Sequence, residues 1–233
     1  MKSILFLFVL INIAVSSATA QNQFLSEDLD KVYWQPKVAI DYADFQSPST
    51  ADCVAYNEKY GLQMSANIQL KGIVDIPTSH LSKNVRKRTG NDKLYLAPVF
   101  CKDCSCILAE DSVELVVNQL LFDVAEMSAR GLRRELSETQ QDMKINNVNT
   151  MFFSTAMNKW DESMREVWAS IYQDVLIQKK DNAYLEWRAL VDELLAANED
   201  FATQPYEVER LSRGEPIEKG YVQAETILSD LEK

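Results

Sequence analysis

The stretch LVVNQLLFDVAEMSARGLRREL, residues 115–136, decides the fold. Its apolar residues Leu115, Val116, Leu120, Val124, Met127 and Leu132 cover more than one face of a helix. Such a helix is stable only when other elements surround it. Asp111 or Ser112 can cap its start, Glu114 suits the first turn, and the pattern runs to about Met143. Glu126 and Arg130 stand four residues apart and can pair along it.

The partners of this helix are read outward from it. Downstream, Met157, Trp160, Met164, Val167, Trp168 and Ile171 recur at helical spacing, which predicts a second helix over 150–178 with this stripe in the core. Residues 179–182 form a turn. A third helix over 183–198 is expected to turn Leu185, Leu190, Val191, Leu194 and Leu195 inward. The segment 203–216, with Pro205, Gly214 and Pro216, reads as a loop, and 217–231 as a weaker final helix or tail. Upstream the pattern is β. Residues 32–34 make a short strand. Residues 62–76 alternate around Ile68 and Leu70 and carry Gly72, as a half-buried strand with a bend does, and Pro77 stops it. Residues 84–93, with Arg86, Lys87 and Arg88, read as a solvated hairpin tip, and 94–100 as another strand. His80 falls in a loop-like segment. Strands first and helices after predict an α+β fold, a small twisted N-terminal sheet packed against long C-terminal helices. The expected organisation is a leader over 1–20, one domain over 21–200 and a C-terminal loop and helix or tail over 201–233.

Residues 1–20 have the form of a secretory signal peptide: Lys2, an apolar run from Ile4 to Val15, and the small-residue site Ala18-Thr19-Ala20. The run is shorter than the ~20 residues needed to span a bilayer. The expected location is therefore periplasmic or extracellular, with no transmembrane segment in the mature chain. A net charge of −11 argues against nucleic acid or an anionic membrane as the main partner, since both require a basic footprint. The four cysteines, Cys53, Cys101, Cys104 and Cys106, suit two disulfides in an oxidising compartment. Three pairings exist, and sequence does not choose among them; full oxidation requires only that Cys53 joins the cluster. The same C-x-x-C-x-C cluster with a distant cysteine could instead hold zinc. A redox C-x-x-C normally opens a helix after a strand, and no helix start follows Cys104.

The long helix poses a chemical question of its own. A hydrolytic zinc helix of the H-E-x-x-H type places two imidazoles one turn apart and a carboxylate beside the first, as general base on the metal-bound water. Were this helix of that type, those three positions would be Val117, Asn118 and Leu121. Valine and leucine have no lone pair to offer, and an amide is not a base. The chain has a single histidine, so no two-histidine site can be assembled anywhere in it.

Gln119, Phe122, Asp123, Val124, Glu126, Ala129, Arg130, Leu132 and Arg133 resemble a segment of the predicted secreted zinc-dependent protease domains of bacteria, in the zincin-like superfamily. Tyr33-Trp34 followed by Ile40, Asp41, Tyr42, Ala43, Asp44 and Phe45 is similar to the opening box of that family. Residues 172–187, YQDVLIQKKDNAYLEW, look like a worn form of a later motif, with Val175 and Gln178 near its Glu and His. The resemblance spans roughly residues 32–195 and implies a zincin-like fold whose metal ligands are gone. No cofactor is expected. It also implies that Val117, Asn118 and Leu121 mark a former active site, now a groove for a peptide or protein partner, supported by Asp123, Glu126 and Arg130. Two other readings stand beside it. One is an enzyme using carboxylates (Asp123, Glu126, Asp161, Glu162) or cysteines; Asp123 and Glu126 equally suit structural pairing with Arg130, Arg133 or backbone. The other is an assembly component of the cell envelope that docks through its helices and C-terminal segment.

Overall fold

The structure, a computed structural model, describes residues 27–28, 30–81 and 91–224. The signal-like residues 1–20 and the Arg86–Arg88 cluster lie outside them, as does the end of the chain from residue 225. The fold is α+β. Among the described residues, seven strands, β1 (Glu27–Asp28), β2 (Lys31–Tyr33), β3 (Met64–Ser65), β4 (Ile68–Pro77), β5 (Lys93–Cys101), β6 (Cys106–Ile107) and β7 (Tyr221–Gln223), form one five-stranded sheet of order β1-β2-β5-β4-β7 and a two-stranded ribbon of β3 and β6. Every pairing within the sheet and the ribbon is antiparallel. The helices are α1 (Ala51–Tyr60), α2 (Ser112–Met143), α3 (Val148–Ile171), α4 (Ala183–Ala197) and α5 (Pro205–Arg213). A π-helical stretch, Tyr172–Ile177, continues α3.

Helix α2 occupies the centre. Asp111 caps it, its carboxylate accepting from the Val113 and Glu114 amides at 2.8 and 2.9 Å. From Val117 to Leu132 it is buried on almost every side: sheet strands β4 and β5 lie against it, and α3 and α4 flank it. The first and last turns break the pattern, with Val116 and Met143 exposed. Two close approaches fix its neighbours. A Cβ on Gly131 would stand 2.2 Å from the Trp160 ring of α3, and one on Gly72 of β4 would stand 2.3 Å from the Phe153 ring. Both glycines are where they are because an aromatic ring fills the place of a side chain.

The sheet alternates strictly, as a pleated strand must. On β5, Leu94, Leu96 and Phe100 face the α2–α3 core, while Tyr95, Ala97 and Val99 face the opposite side. That opposite side is covered by α5 through Val208 and Leu211. The segment 203–216, expected as loop, is therefore a helix that makes a third layer. Its boundary signals are present in the sequence: Pro205 at the first helical position, a reciprocal cap between Gln204 and Glu207, and Gly214 just past the end at φ 72°. Arg210 of α5 reaches the sheet and forms a bidentate pair with Asp75 of β4 at 2.7 and 2.8 Å, both side chains fully buried.

Two further expectations are corrected. Within 217–231, expected as a weaker helix or tail, Tyr221–Gln223 is instead an edge strand, with Ile76 opposite Val222. Its backbone bonds go to β4, a long-range pairing that local periodicity does not register. In α4, only Val191 and Ala183 are buried; Tyr184, Trp187 and Leu195 pack partly against the core, while Leu185, Leu190 and Leu194 are 64, 45 and 37 % exposed. The contact stripe of α4 runs through 184, 187, 191 and 195, and the three leucines lie off it. The N-terminal third also holds a helix, α1, among its strands. His80 sits buried in a single 3-10 turn, Thr78–His80.

Candidate functional site

Val117, Asn118 and Leu121 do not line a groove. They are 0, 1 and 2 % exposed. What seals Asn118 and Leu121 is specific. The Tyr172 hydroxyl donates to Asn118 Oδ1 at 3.1 Å, and the Trp168 indole donates to the Leu121 carbonyl at 3.1 Å. The two aromatic side chains come from positions one turn apart at the α3–π-helix junction and lie over α2. The expectation of a groove at Val117, Asn118 and Leu121 is thus corrected. Val117 and Leu121 gain by being covered, and the buried Asn118 amide is offset by its bond from the Tyr172 hydroxyl.

The same two aromatics line a partly open cavity of about 380 Å³. Tyr56, Tyr60 and Leu62 come from the end of α1 and the turn after it; Arg165, Trp168, Ala169, Tyr172, Gln173 and Ile177 come from α3 and the π-helical stretch. Tyr56 and Tyr60 are 48 and 42 % exposed, with ring centroids 4.9 Å apart. Burial pushes the Tyr172 hydroxyl well above its ordinary 10.0, with Tyr56 and Glu114 adding to the effect. It therefore stays a neutral donor to Asn118. A second cavity, of about 430 Å³, lies on the other side of Leu62 between the α2 start and Val175, Leu176, Lys179 and Lys180. Glu114 forms part of its wall. Its carboxylate accepts from the Gln63 and Met64 amides at 2.8–2.9 Å, and burial holds it above the usual carboxylate range.

Sequence reasoning missed Tyr56 and Tyr60 because α1 was not foreseen. Its signals were Thr50, whose hydroxyl accepts from Cys53 N, and Gly61 in the left-handed region directly after the last turn.

The supporting residues are brought together. Asp123 accepts from the Trp34 indole at 2.8 Å and from Arg188 of α4 at 2.5 Å. Gln119 receives the Ile40 amide at 3.0 Å. Glu126 pairs with Arg130 at 2.8 Å and accepts from the amide and hydroxyl of Thr203 at 2.9 and 2.6 Å. Arg130 also donates to the Leu195 carbonyl at 2.6 Å and lies over the Trp34 ring. Arg133 bonds Glu207, Thr203 and the carbonyls of Phe201 and Leu96. These groups clamp α2 to the opening segment, α4 and α5. Asp161 and Glu162 stand elsewhere, on α3, and Asp161 pairs with Arg165 at 2.8 Å.

All four cysteines are paired, Cys53 with Cys106 and Cys101 with Cys104. The first link ties α1 to β6; the second closes the turn after β5. In this state no cysteine offers a thiolate, so the four-cysteine zinc reading is replaced by two disulfides.

Comparison with protein families, curated proteins and solved structures returns no match to this chain. Among the described residues, no helix is long and apolar enough to cross a membrane.

Proposed function

We propose that this chain is a non-catalytic, extracytoplasmic protein that binds a peptide segment of a partner protein. One observation carries the reading: the aromatic side chains that close over Asn118 and Leu121 themselves form, with Tyr56, Tyr60 and Leu62, a partly open, mainly aromatic and apolar cavity at the surface. Aromatic side chains with polar tips are well suited to peptide contact, since they offer large area at small entropic cost. The binding place is thus one side-chain layer outside the former ligand positions.

The non-catalytic part rests on residue chemistry. Val117, Asn118 and Leu121 replace the ligand set of the zincin-like helix that this segment resembles, and the lone histidine stands on a different element. Asp123 and Glu126, the carboxylates an alternative enzyme would use, have their oxygens engaged by Trp34, Arg188, Arg130 and Thr203. The extracytoplasmic part is supported by the leader-type pattern of residues 1–20 and by two disulfides.

The test is selection of displayed peptides on the purified chain, followed by binding to Tyr56→Ala and Tyr60→Ala. Both tyrosines are exposed enough for the variants to stay folded. Recovered peptides should bind the variants at least tenfold more weakly, at unchanged melting temperature. Peptides that bind both variants as well as the parent chain, or no recovered peptides at all, would overturn the assignment of this cavity.

A second reading, an assembly component of the cell envelope, is favoured by a different surface, the exposed Leu185, Leu190 and Leu194 of α4. Charged replacements at these three positions that abolish co-purification of envelope proteins, with the tyrosine variants unaffected, would select it over the peptide-binding reading.

A further inference from the structure

The turn after β5 reads Cys101-Lys102-Asp103-Cys104 and has a property that neither a plain structural disulfide nor a redox enzyme needs. One oxygen of Asp103, Oδ1, stands 3.0 Å from Cys101 Sγ and 3.5 Å from Cys104 Sγ. Ligand atoms from all three residues lie within 4.8 Å of one another. The cation next in sequence does not neutralise this group: Lys102 turns away and pairs with Asp44 at 3.0 Å.

A carboxylate beside the sulfurs makes a poor thiol–disulfide catalyst, because it disfavours the thiolate that must attack. It makes a good metal ligand. With Zn–S of ~2.3 Å, Zn–O of ~2.1 Å and tetrahedral angles, a thiolate sulfur and a carboxylate oxygen on one zinc stand about 3.6 Å apart. The Cys104 spacing of 3.5 Å matches that, and the Cys101 spacing of 3.0 Å is about 0.6 Å short of it, so Cys101 Sγ must move outward when the bond between the sulfurs opens. Two cysteines separated by two residues also give the usual bite of one half of a zinc site.

The turn is held independently of its disulfide. The Lys102 amide donates to the Asp30 carbonyl, and the Gln46 amide to the Lys102 carbonyl, at 2.8 and 2.9 Å. The Ser105 hydroxyl donates to the Cys101 carbonyl at 2.6 Å and accepts the Asn67 amide at 2.8 Å. The Cys101 amide donates to the Asn67 carbonyl and the Ser47 amide to the Ser105 carbonyl, both at 2.9 Å. None of these bonds uses a sulfur atom, so the frame does not depend on the sulfur–sulfur bond for its contacts. The pair is also reachable, because Cys104 is exposed, whereas Cys53 and Cys106 are buried.

We infer that Cys101, Asp103 and Cys104 form a reduction-gated site for zinc or a similar thiolate-binding divalent cation. An external dithiol transfers two electrons and two protons to the Cys101–Cys104 bond and is itself oxidised to a disulfide. The cation then displaces the two thiol protons and binds two thiolates and one carboxylate, with water in the fourth position. The oxidised chain does not bind. The site is independent of the aromatic cavity and of the long helix.

The experiment uses the full chain, treated with a dithiol and desalted without oxygen. Thiol titration should find two thiols per chain. Zinc chloride should then bind at one equivalent, and cobalt(II) in its place should give a thiolate charge-transfer band; the oxidised chain should show neither. Asp103→Asn should weaken zinc at least tenfold, and Cys101→Ser with Cys104→Ser should abolish binding. Four thiols titrating together, no zinc uptake after reduction, uptake that survives the double serine variant, or indifference to Asp103→Asn would each overturn the site.

Discussion

The Asp123 carboxylate accepts a hydrogen bond from the Trp34 indole on one oxygen at 2.8 Å and from the Arg188 guanidinium on the other at 2.5 Å. Residues far apart in sequence thereby lock the opening segment and α4 onto α2. Asp123 and Arg188 are both mostly buried, so the pair is screened little by solvent. Asp123→Asn keeps the shape but removes the charge and turns one acceptor into a donor. It should destabilise the fold by about 1–3 kcal/mol. Denaturant unfolding checks this, and an unchanged midpoint would show that the clamp contributes nothing.

Gly131 is the second place where the fold depends on one atom. Gly131→Ala should gain about 1 kcal/mol of helix propensity. It should lose more than that to the clash with Trp160, whose ring is held by a 2.8 Å bond from its indole to Glu135. The expected net effect is a destabilisation of about 2 kcal/mol, read from the midpoint of denaturant unfolding. A stabilised variant would mean that Trp160 moves freely.

The two disulfides should differ in their contribution. Cys53 and Cys106 are 53 residues apart, Cys101 and Cys104 only 3. Loop-closure entropy assigns about 4 kcal/mol to the first and about 1.5 kcal/mol to the second. Serine pairs replacing each bridge, compared by thermal unfolding, should show the larger drop for the Cys53–Cys106 pair. A drop of equal size for both would refute the chain-entropy account here.

Glu114 makes stability depend on pH. Its folded carboxyl lies above the ordinary 4.5 because burial outweighs the Gln63 and Met64 amides that favour the charge. The folded chain therefore binds this proton more tightly than the unfolded chain does. The contribution is complete below about pH 4.5 and is lost as pH rises through the folded value. The stability of the parent chain relative to Glu114→Gln should fall as pH is raised from 4 toward 7. A difference that is flat, or that rises with pH, would contradict the sign.

Much of this was legible in the residues. The central helix, the two helices after it and the strands at 68–77 and 93–101 follow from apolar spacing, which reports burial wherever an element is long and strongly patterned. The helices α1 and α5 were marked by caps rather than by periodicity. Thr50 and Gly61 bracket one; Pro205 and Gly214 bracket the other. α1 is short and its apolar stripe is faint, while α5 is sharply two-faced but buries the charged Glu207 and Arg210 beside Val208 and Leu211, and the prolines and glycines of 203–216 read as a loop.

By itself the sequence determined the α+β class, the central helix, the absence of a two-histidine site and the cysteine that had to join the cluster. Only the tertiary structure decided which cysteines pair and that α5 covers the second face of the sheet. It also decided that Trp168 and Tyr172 seal the helix positions where a cleft was expected. These outcomes depend on which residues distant in the chain meet across α2 and the sheet. Local spacing carries the period of an element, but not the identity of what covers it.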